Sequence, residues 1–449
     1  MNLFIKIRER ILQSDFLKSV SVLFSGNVIA NAISFLSVPI LSRIYSQADF
    51  GDYAIVTSVA SILIISTAFG LTSAIMAPKD DDESRKIITT AYTTQSIIIS
   101  LFAVLLVSLY LLFDYKLYSF SGNYLLSVVF LYIYSLIYAL FSFLTVFTNK
   151  QKKNRVLFWN ALINSVALLV LTIPLGLLGF GGIGYILAAS CSYLVADIQM
   201  IFHTHPFIKI KLYSGVKELY VKYKDFILFQ YPSNILGTFT VQLPNQMFSR
   251  FFGNASLGGY AMCERLLGVP MRLIGTPIST VYFRQASSFV KENKDLSDFT
   301  YRLISRVLWV SLLPVILVLL FAKPILTFVL GEEWSSVGDI TTILIVPYVL
   351  SFCSSCVTYC LVVLDKQKIN LYITAVQLLL IASFTLLGYF LFHDYIRTLQ
   401  FYAIAMILFH TFNLSVIFYH LHGHFIKFLR CMLVYLLITV SLSFLLGVL

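Results

Sequence analysis

The sequence predicts an all-α polytopic membrane protein: two six-helix lobes in a parallel repeat around a central cavity, followed by one extra C-terminal transmembrane helix. Three observations predict it. Of 449 residues, 59% are hydrophobic and 12% charged, where a soluble domain carries about 25% charged residues. Apolar stretches of about 20 residues, enough for a helix to cross the hydrocarbon of a bilayer, recur along the chain. Two distant blocks, SRIYSQADFGDYA (42–54) and SRFFGNASLGGYA (249–261), align without a gap.

The apolar stretches fall at 20–42, 52–77, 87–113, 124–147, 156–178, 182–203, 226–251, 257–283, 303–322, 339–363, 371–392 and 399–419, with 431–448 as a thirteenth. The first is too long for the apolar part of a signal peptide and lacks a small-residue cleavage site, so it is expected to remain as a span. The alternating pattern of membrane β-strands is missing. Placing the N-terminus inside puts 24 of the 32 Lys and Arg residues on one side, as the positive-inside rule requires. The net charge of +11 is therefore membrane topology, and no nucleic-acid partner is expected.

The start reads as an interfacial amphipathic helix over 1–18, where Leu3, Ile7 and Ile11 recur every four residues among Lys6, Arg8 and Arg10. An N-lobe follows over 19–206, a cytoplasmic linker over 207–225 and a C-lobe over 226–420. The remainder, 421–449, holds a His-rich turn and the thirteenth span. The lobes repeat: at a shift of 207, Asn27 matches Asn234, Arg43 matches Arg250 and Gly51 matches Gly258. At a shift of 216, NKQKKN (149–154) matches DKQKIN (365–370). Six spans per half is an even number, so both halves insert in the same orientation, the parallel plan of two-lobe secondary transporters.

Polar residues inside spans mark where function is expected. The first span carries Asn27, Asn31 and Ser34 at steps of four and three. The seventh carries Gln230, Asn234, Thr238, Gln242, Asn245 and Ser249, with Pro232 and Pro244 in the same helix. Isolated polar residues serve as glue between helices, but a stripe of this length is expected to face a water-filled cavity. Charges are costlier still, about 2.5–3.5 kcal/mol each near the bilayer centre. The eighth span nevertheless contains Glu264, Arg265 and Arg272, and the sixth contains Asp197. Seven residues turn a helix by ~700°, so Arg265 and Arg272 share a face ~10.5 Å apart along the axis. Paired guanidiniums suit a phosphate-bearing anion, which they grip bidentately; the bland alternative is an Arg–Glu or Arg–Asp pair that only locks helices. Arg43 and Arg250 end equivalent spans and are expected either to snorkel to lipid head groups or to gate the cavity mouth.

Other motifs are weaker. Cys353, Cys356 and Cys360 lie in an apolar helix without a second ligand pair and read as small packing residues. His420, His422 and His424 (HLHGH) sit at an interface, and metal binding there is the less favoured reading. GFGGIG (179–184) joins two membrane helices rather than a strand and a helix, so no dinucleotide site is expected. His410, in the twelfth span, reads as a packed residue. The sequence holds no G-x4-G-K-[ST] phosphate loop, so no cofactor is expected, and a coupling ion, H+ or Na+, or the membrane potential would supply the energy. Glu264 and Asp197 are the candidates to couple it.

PILSRIYSQADFGDYA after the first span, its echo SRFFGNASLGGYA, GGYAMCERLLGVP in the eighth and LGEEWSS (330–336) after the ninth resemble the polysaccharide-transporter branch of the MOP exporter superfamily, the Wzx-type flippases. The resemblance covers about 15–420, and the stretch after Leu429 departs from the twelve-span pattern. It implies a bacterial inner-membrane protein with a cytoplasmic N-terminus that flips an undecaprenyl-pyrophosphate-linked oligosaccharide for O-antigen or capsule. The expected partners are that lipid-linked oligosaccharide, membrane lipids, and the polymerase and chain-length regulator of the same polysaccharide. By position it assigns head-group binding to Arg265 and Arg272. Two other functions compete: a cation-coupled multidrug exporter, which would favour an acidic cavity, and a membrane glycan polymerase or ligase, which needs a larger outside loop.

Overall fold

A computed structural model describes residues 15–206, 216–224, 226–292 and 294–445. Residues 1–14 of the expected interfacial helix and 207–215 of the linker lie outside the described residues. Among those described, every regular element is helical. In order they are α1 (Asp15–Leu36), α2 (Val38–Leu41), α3 (Gln47–Thr67), α4 (Leu71–Ala74), α5 (Asp81–Phe113), α6 (Tyr124–Lys150), α7 (Asn154–Leu177), α8 (Gly181–Thr204) and α9 (Val216–Lys222). Then come a π-helical turn (Phe226–Gln230), α10 (Tyr231–Pro270), a second π-helical turn (Met271–Gly275), α11 (Thr276–Lys291), α12 (Leu296–Leu330), a 3-10 turn (Glu332–Trp334), α13 (Ser335–Cys356), α14 (Cys360–Val363), α15 (Gln367–Phe392), α16 (Tyr395–His420) and α17 (Phe425–Leu445).

Among the described residues ten helices are long and apolar enough to cross a membrane. The last of them, within α17, is the stretch expected as a thirteenth span. The expected first, seventh and eighth spans are not among the ten: the first appears as the shorter apolar helix Gly26–Leu41, and the stripe and the charges of α10 lower the hydropathy of the other two. Two spans are also less regular than their composition suggests, and a break falls between the expected seventh and eighth. The first breaks at Ser37, where Pro39 starts the short α2. The second stops at Phe69 and Gly70, both in the left-handed region (φ 47° and 73°). α10 is interrupted at Gly253 (φ 80°, ψ 175°), the repeat partner of Ser46.

Helix starts are fixed by short acids and amides accepting from exposed backbone N–H groups. Asp80 caps α5, Asn123 caps α6, Asp295 caps α12 and Asp394 caps α16. Ser46 and Asp49 form a reciprocal capping box at α3: Ser46 N donates to Asp49 Oδ2 (2.9 Å) and Asp49 N to Ser46 Oγ (3.3 Å).

The chain forms two compact units, one of Met1–Tyr45 with Asp52–Thr238, the other of Ser46–Gly51 with Phe239–Leu449. The division falls inside α10, beyond the linker. In the first unit Tyr185 stacks on Tyr53 (4.3 Å between ring centroids) and tilts against Tyr45 (5.3 Å). The Tyr45 hydroxyl donates to the carbonyl of Thr172 at 2.7 Å. Asp52, buried at the outer end of this group, accepts from Ser121 N at 3.0 Å and Ser121 Oγ at 3.1 Å. At the other end, α9 is pinned to α5 by Lys222 and by Tyr223, whose hydroxyl donates to Glu83 at 2.8 Å. The Lys222 ammonium, then the Tyr223 hydroxyl, hold the Glu83 carboxyl below its usual range.

In the second unit the repeated blocks meet. A Cβ on Gly51 would lie 1.8 Å from the carbonyl oxygen of Asn254, and a Cβ on Gly258 would lie 1.8 Å from that of Gln47. Gln47 and Asn254, like Gly51 and Gly258, are partners at the shift of 207, so the contact is reciprocal. Two helix starts cross so closely that neither has room for a side chain. Gln47 Nε2 also donates to Ser336 Oγ (3.0 Å) and to the carbonyl of Glu333, and Phe50 meets the fully buried Trp334 edge-on (5.0 Å). The sequence blocks behind the family resemblance therefore converge on one packing knot. Gly258→Ala should lower the melting temperature of the detergent-purified protein, since overpacking costs about 1–3 kcal/mol and backbone on both sides prevents retreat. Gly237→Ala, with open space around its Cβ position, should leave the melting temperature the same or raise it.

Candidate functional site

The candidate site is built on the second part of α10 and the π-helical turn after it. Pro270 has no N–H to donate to the carbonyl four residues earlier, and its ring crowds that turn. The helix relaxes into a wider register over Met271–Gly275. Thr276 N donates back to the carbonyl of Met271, which closes the wider turn, and Pro277 opens α11. The chain thus keeps a continuous helix while rotating Arg272 away from a strict α register.

Arg272 is exposed, and its guanidinium folds back along the helix, Nη2 donating to the carbonyl of Arg265 at 3.3 Å. The shared face inferred from the seven-residue spacing survives the π turn because the long side chain points toward the helix N-terminus. Gly268 makes room for it: a Cβ there would stand 2.8 Å from Arg272 Nη1. Gly275 seats the turn on α13, its Cβ position lying 2.8 Å from Ser355 Oγ and 3.3 Å from the Phe352 ring. On the opposite side of α10, Cys263 is buried and accepts from Thr341 Oγ1 at 3.4 Å. Tyr260 and Tyr402 share a hydrogen bond at 3.0 Å. Glu264, partly buried between these faces, lies within electrostatic reach of Arg272.

The other sequence candidates are distributed over both units. Asn27 is exposed and Asn31 half-buried, and Asn31 Nδ2 donates to the Asn27 carbonyl at 2.7 Å. Asn234 and Thr238 lie half-buried on the part of α10 that belongs to the first unit. Gln242 belongs to the second, where its Oε1 accepts from Asn245 Nδ2 at 3.1 Å. Ser249, the last of the stripe, is buried and donates to Asn254 Oδ1 at 2.6 Å, so the end of the stripe serves packing. Arg43 follows α2 and Arg250 precedes Gly253; both are exposed.

Asp197 is in the first unit, whereas Glu264 is in the second. The Asp197 side chain is fully buried in α8, and neither carboxylate oxygen has a hydrogen-bond partner among the described residues. The same unit holds buried amides that the sequence did not single out. Asn160 Nδ2 donates to the Ala196 carbonyl (2.8 Å) and Gln199 Oε1 (3.0 Å), and Gln95 Nε2 donates to the Ile64 carbonyl (2.8 Å). A lone amide in an apolar helix carries no periodic signal, and for that reason these were missed. Gly268 and Gly275 were missed too, because a glycine's role depends on what lies across from it.

Cys353, Cys356 and Cys360 are all buried. His424 Nε2 stands 3.7 Å from Asp298 Oδ1 and its ring stacks on Tyr301. Among the described residues no group of three or more His, Cys, Asp and Glu is arranged to hold a metal.

A sequence model of the family described as polysaccharide biosynthesis protein matches residues 40–339. The chain belongs to that family. Among curated relatives, the succinoglycan biosynthesis transport protein ExoT of Rhizobium meliloti (strain 1021) is 24% identical over 344 residues. The match takes in 73% of this chain and 65% of that protein, so the chain spans just under two thirds of its relative's length. Among solved structures, the lipid II flippase MurJ in an inward closed conformation aligns with a TM-score of 0.66 at 15% identity, covering 96% of this chain and 97% of that one. An inward-facing multidrug resistance MATE family transporter of the MOP superfamily aligns with a TM-score of 0.54 at 16% identity, covering 87% and 98%. The chain is a multi-pass membrane protein of that family, with a fold like those of the MurJ and MATE structures.

Because Gly268 floors the Arg272 guanidinium, Gly268→Ala should displace the charge while the flexible side chain absorbs the clash. Membrane abundance should stay near wild type while transport falls at least severalfold. Unimpaired transport in that variant would show that the folded-back position of Arg272 is unimportant.

Proposed function

We propose that this polysaccharide transporter is a flippase that carries an undecaprenyl-pyrophosphate-linked oligosaccharide from the cytoplasmic to the outer leaflet of a bacterial inner membrane, by alternating access of two lobes, for O-antigen or capsule synthesis. The observation that carries the reading is the exposed Arg272, folded over Arg265 on one face of the stretch read from the sequence as the eighth span. Charges inside a bilayer persist where function repays them. Two guanidiniums spaced along a helix suit a pyrophosphate, whose oxygens accept paired N–H bonds. The names of the relatives agree: one is a succinoglycan biosynthesis transport protein and one a lipid II flippase. Gln242, in the same unit as Arg265 and Arg272, offers neutral polar surface for the rest of the head group, and Arg43 and Arg250 stand at the ends of equivalent spans. The polymerase and chain-length regulator of the same polysaccharide would receive the product.

Energy enters through an ion. A carboxylate buried without a partner, as in Asp197, is stable in apolar surroundings when it binds a proton or a cation. Moving one elementary charge across 100 mV yields about 2.3 kcal/mol, enough to bias a two-state transporter. We assign coupling by H+ or Na+ to Asp197, with Glu264 beside the arginines as the second acid. The positive-inside bias of the loops supports a cytoplasmic N-terminus. The second reading, multidrug export, shares the fold of the MATE neighbour, but the arginine pair would repel cationic drugs.

In cells lacking the chromosomal copy, Arg272→Ala should abolish surface polysaccharide while membrane insertion persists. Arg272→Lys should restore part of it, because an ammonium cannot make the forked contact, and Arg265→Ala should be milder. If the charges only lock helices, loss of Arg265 would instead reduce protein abundance, and adding Glu264→Gln would restore it. Wild-type polysaccharide in Arg272→Ala would refute head-group binding by this residue.

A further inference from the structure

The second unit encloses a cavity of about 320 Å³, within the size range of small-ligand sites, roughly 300–1,000 Å³. Its wall begins at Met271, the first residue of the π turn and the neighbour of Arg272. It continues along α13, α15 and α16 through Ser354, Thr374, Gln377, Phe409, His410 and Asn413. Apart from the imidazole, every lining group is uncharged. Hydroxyls and amides both donate and accept hydrogen bonds, so the wall matches a ligand whose own groups do both. One aromatic ring, Phe409, adds an apolar face. His410 is buried; its Nδ1 lies 3.1 Å from Ser354 Oγ, and its Nε2 has no hydrogen-bond partner among the described residues.

The internal repeat shows that the fold does not require this opening. At the shift of 216 the helix limits of the two halves coincide closely: α7 and α8 span Asn154–Leu177 and Gly181–Thr204, and α15 and α16 span Gln367–Phe392 and Tyr395–His420. The first-unit residues matching Ser354, Thr374 and His410 are Tyr138, Phe158 and Leu194. There Tyr138 packs against Tyr193 at 4.9 Å and Phe141 at 6.0 Å. One half fills the position with bulky rings; the other replaces two rings and a leucine by a hydroxyl, a second hydroxyl and an imidazole. Asn413 likewise stands where the first unit has Asp197, so the second copy has exchanged a charged group for a neutral one.

We propose that this cavity is a subsite for the sugar attached to the diphosphate of the transported lipid, a neutral, hydroxyl-rich ligand. The proposal rests on the reading of Arg265 and Arg272 as the diphosphate clamp, which places the first sugar beside Met271. Thr374, Gln377, His410 and Asn413 are its specificity-determining hydrogen-bonding groups, and Phe409 its apolar face.

The test is binding to the full chain in lipid nanodiscs, comparing bare undecaprenyl diphosphate with undecaprenyl-diphosphate-linked glucose, galactose and N-acetylglucosamine. At least one sugar-bearing lipid should bind roughly tenfold more tightly than the bare lipid, the yield of one or two net hydrogen bonds. Thr374→Phe, which installs the first unit's residue, should erase that advantage and leave bare-lipid binding within about twofold. Gln377→Leu, which removes hydrogen bonding without adding bulk, should do the same. Arg272→Ala should weaken every lipid alike. If no sugar-bearing lipid outperforms the bare one, or if both cavity variants retain the advantage, the subsite is overturned while the arginine clamp stands. If bare-lipid binding does not depend on Arg272, the clamp fails and the subsite fails with it.

Discussion

The crossing of two helix starts at Gly51 and Gly258 is the contact on which the arrangement of the second unit depends. Each glycine lies against a carbonyl of the other helix, at Asn254 and Gln47, and the exchange is reciprocal because the four residues form two repeat pairs. Close backbone approach of this kind yields van der Waals contact that bulky side chains would prevent, and inside a bilayer such packing substitutes for the hydrophobic effect. The capping box of Ser46 and Asp49, the Gln47 amide on Ser336 and the buried Trp334 all brace the same point. The second half of α10 starts from this knot, and its register fixes where Glu264, Arg265 and Arg272 emerge.

A second constraint acts one helix length further on. Pro270 denies the backbone one hydrogen bond, and the chain answers with a π turn rather than a break. That choice keeps Arg272 on the helix while turning it over Gly268 and toward Arg265. A small residue, an imino acid and a basic side chain together make the local geometry, and none would do so alone. The same turn, seated on α13 through Gly275, carries Met271 into the wall of the polar cavity. In our reading the charged and neutral parts of one head group are therefore addressed from consecutive residues.

Much of the fold was legible because a bilayer enforces a simple rule, about 20 apolar residues per crossing. The long helices α5, α6, α7, α8, α15 and α16 begin and end within a few residues of their apolar stretches. Legibility ended where backbone geometry departs from regular helix at residues whose neighbours are also apolar, Ser37 and Phe69–Gly70, whereas the break at Gly253 falls in the expected gap between two apolar stretches. Arg265 and Arg272 were visible as charges out of place, and their shared face followed from spacing. Gly268 and the π register were not visible, since both depend on which atoms lie opposite. The family blocks were recognisable as patterns, yet their role as a packing knot became clear only when Gly51 and Gly258 were seen to exchange contacts. Asp197 stood out as an intramembrane acid, but that its carboxylate lacks a partner is a tertiary fact.

The central claim, an ion-coupled flippase for a lipid-linked oligosaccharide, is tested most directly in sealed vesicles containing the purified full chain and an undecaprenyl-diphosphate-linked oligosaccharide. The measured quantity is the rate at which the sugar becomes accessible on the opposite face, with and without an imposed proton or sodium gradient. The account predicts that one gradient accelerates transfer, and that Asp197→Asn or Glu264→Gln removes the acceleration. No transfer above protein-free vesicles, together with gradient-driven transport of a lipophilic cation such as ethidium, would contradict it and favour the multidrug reading.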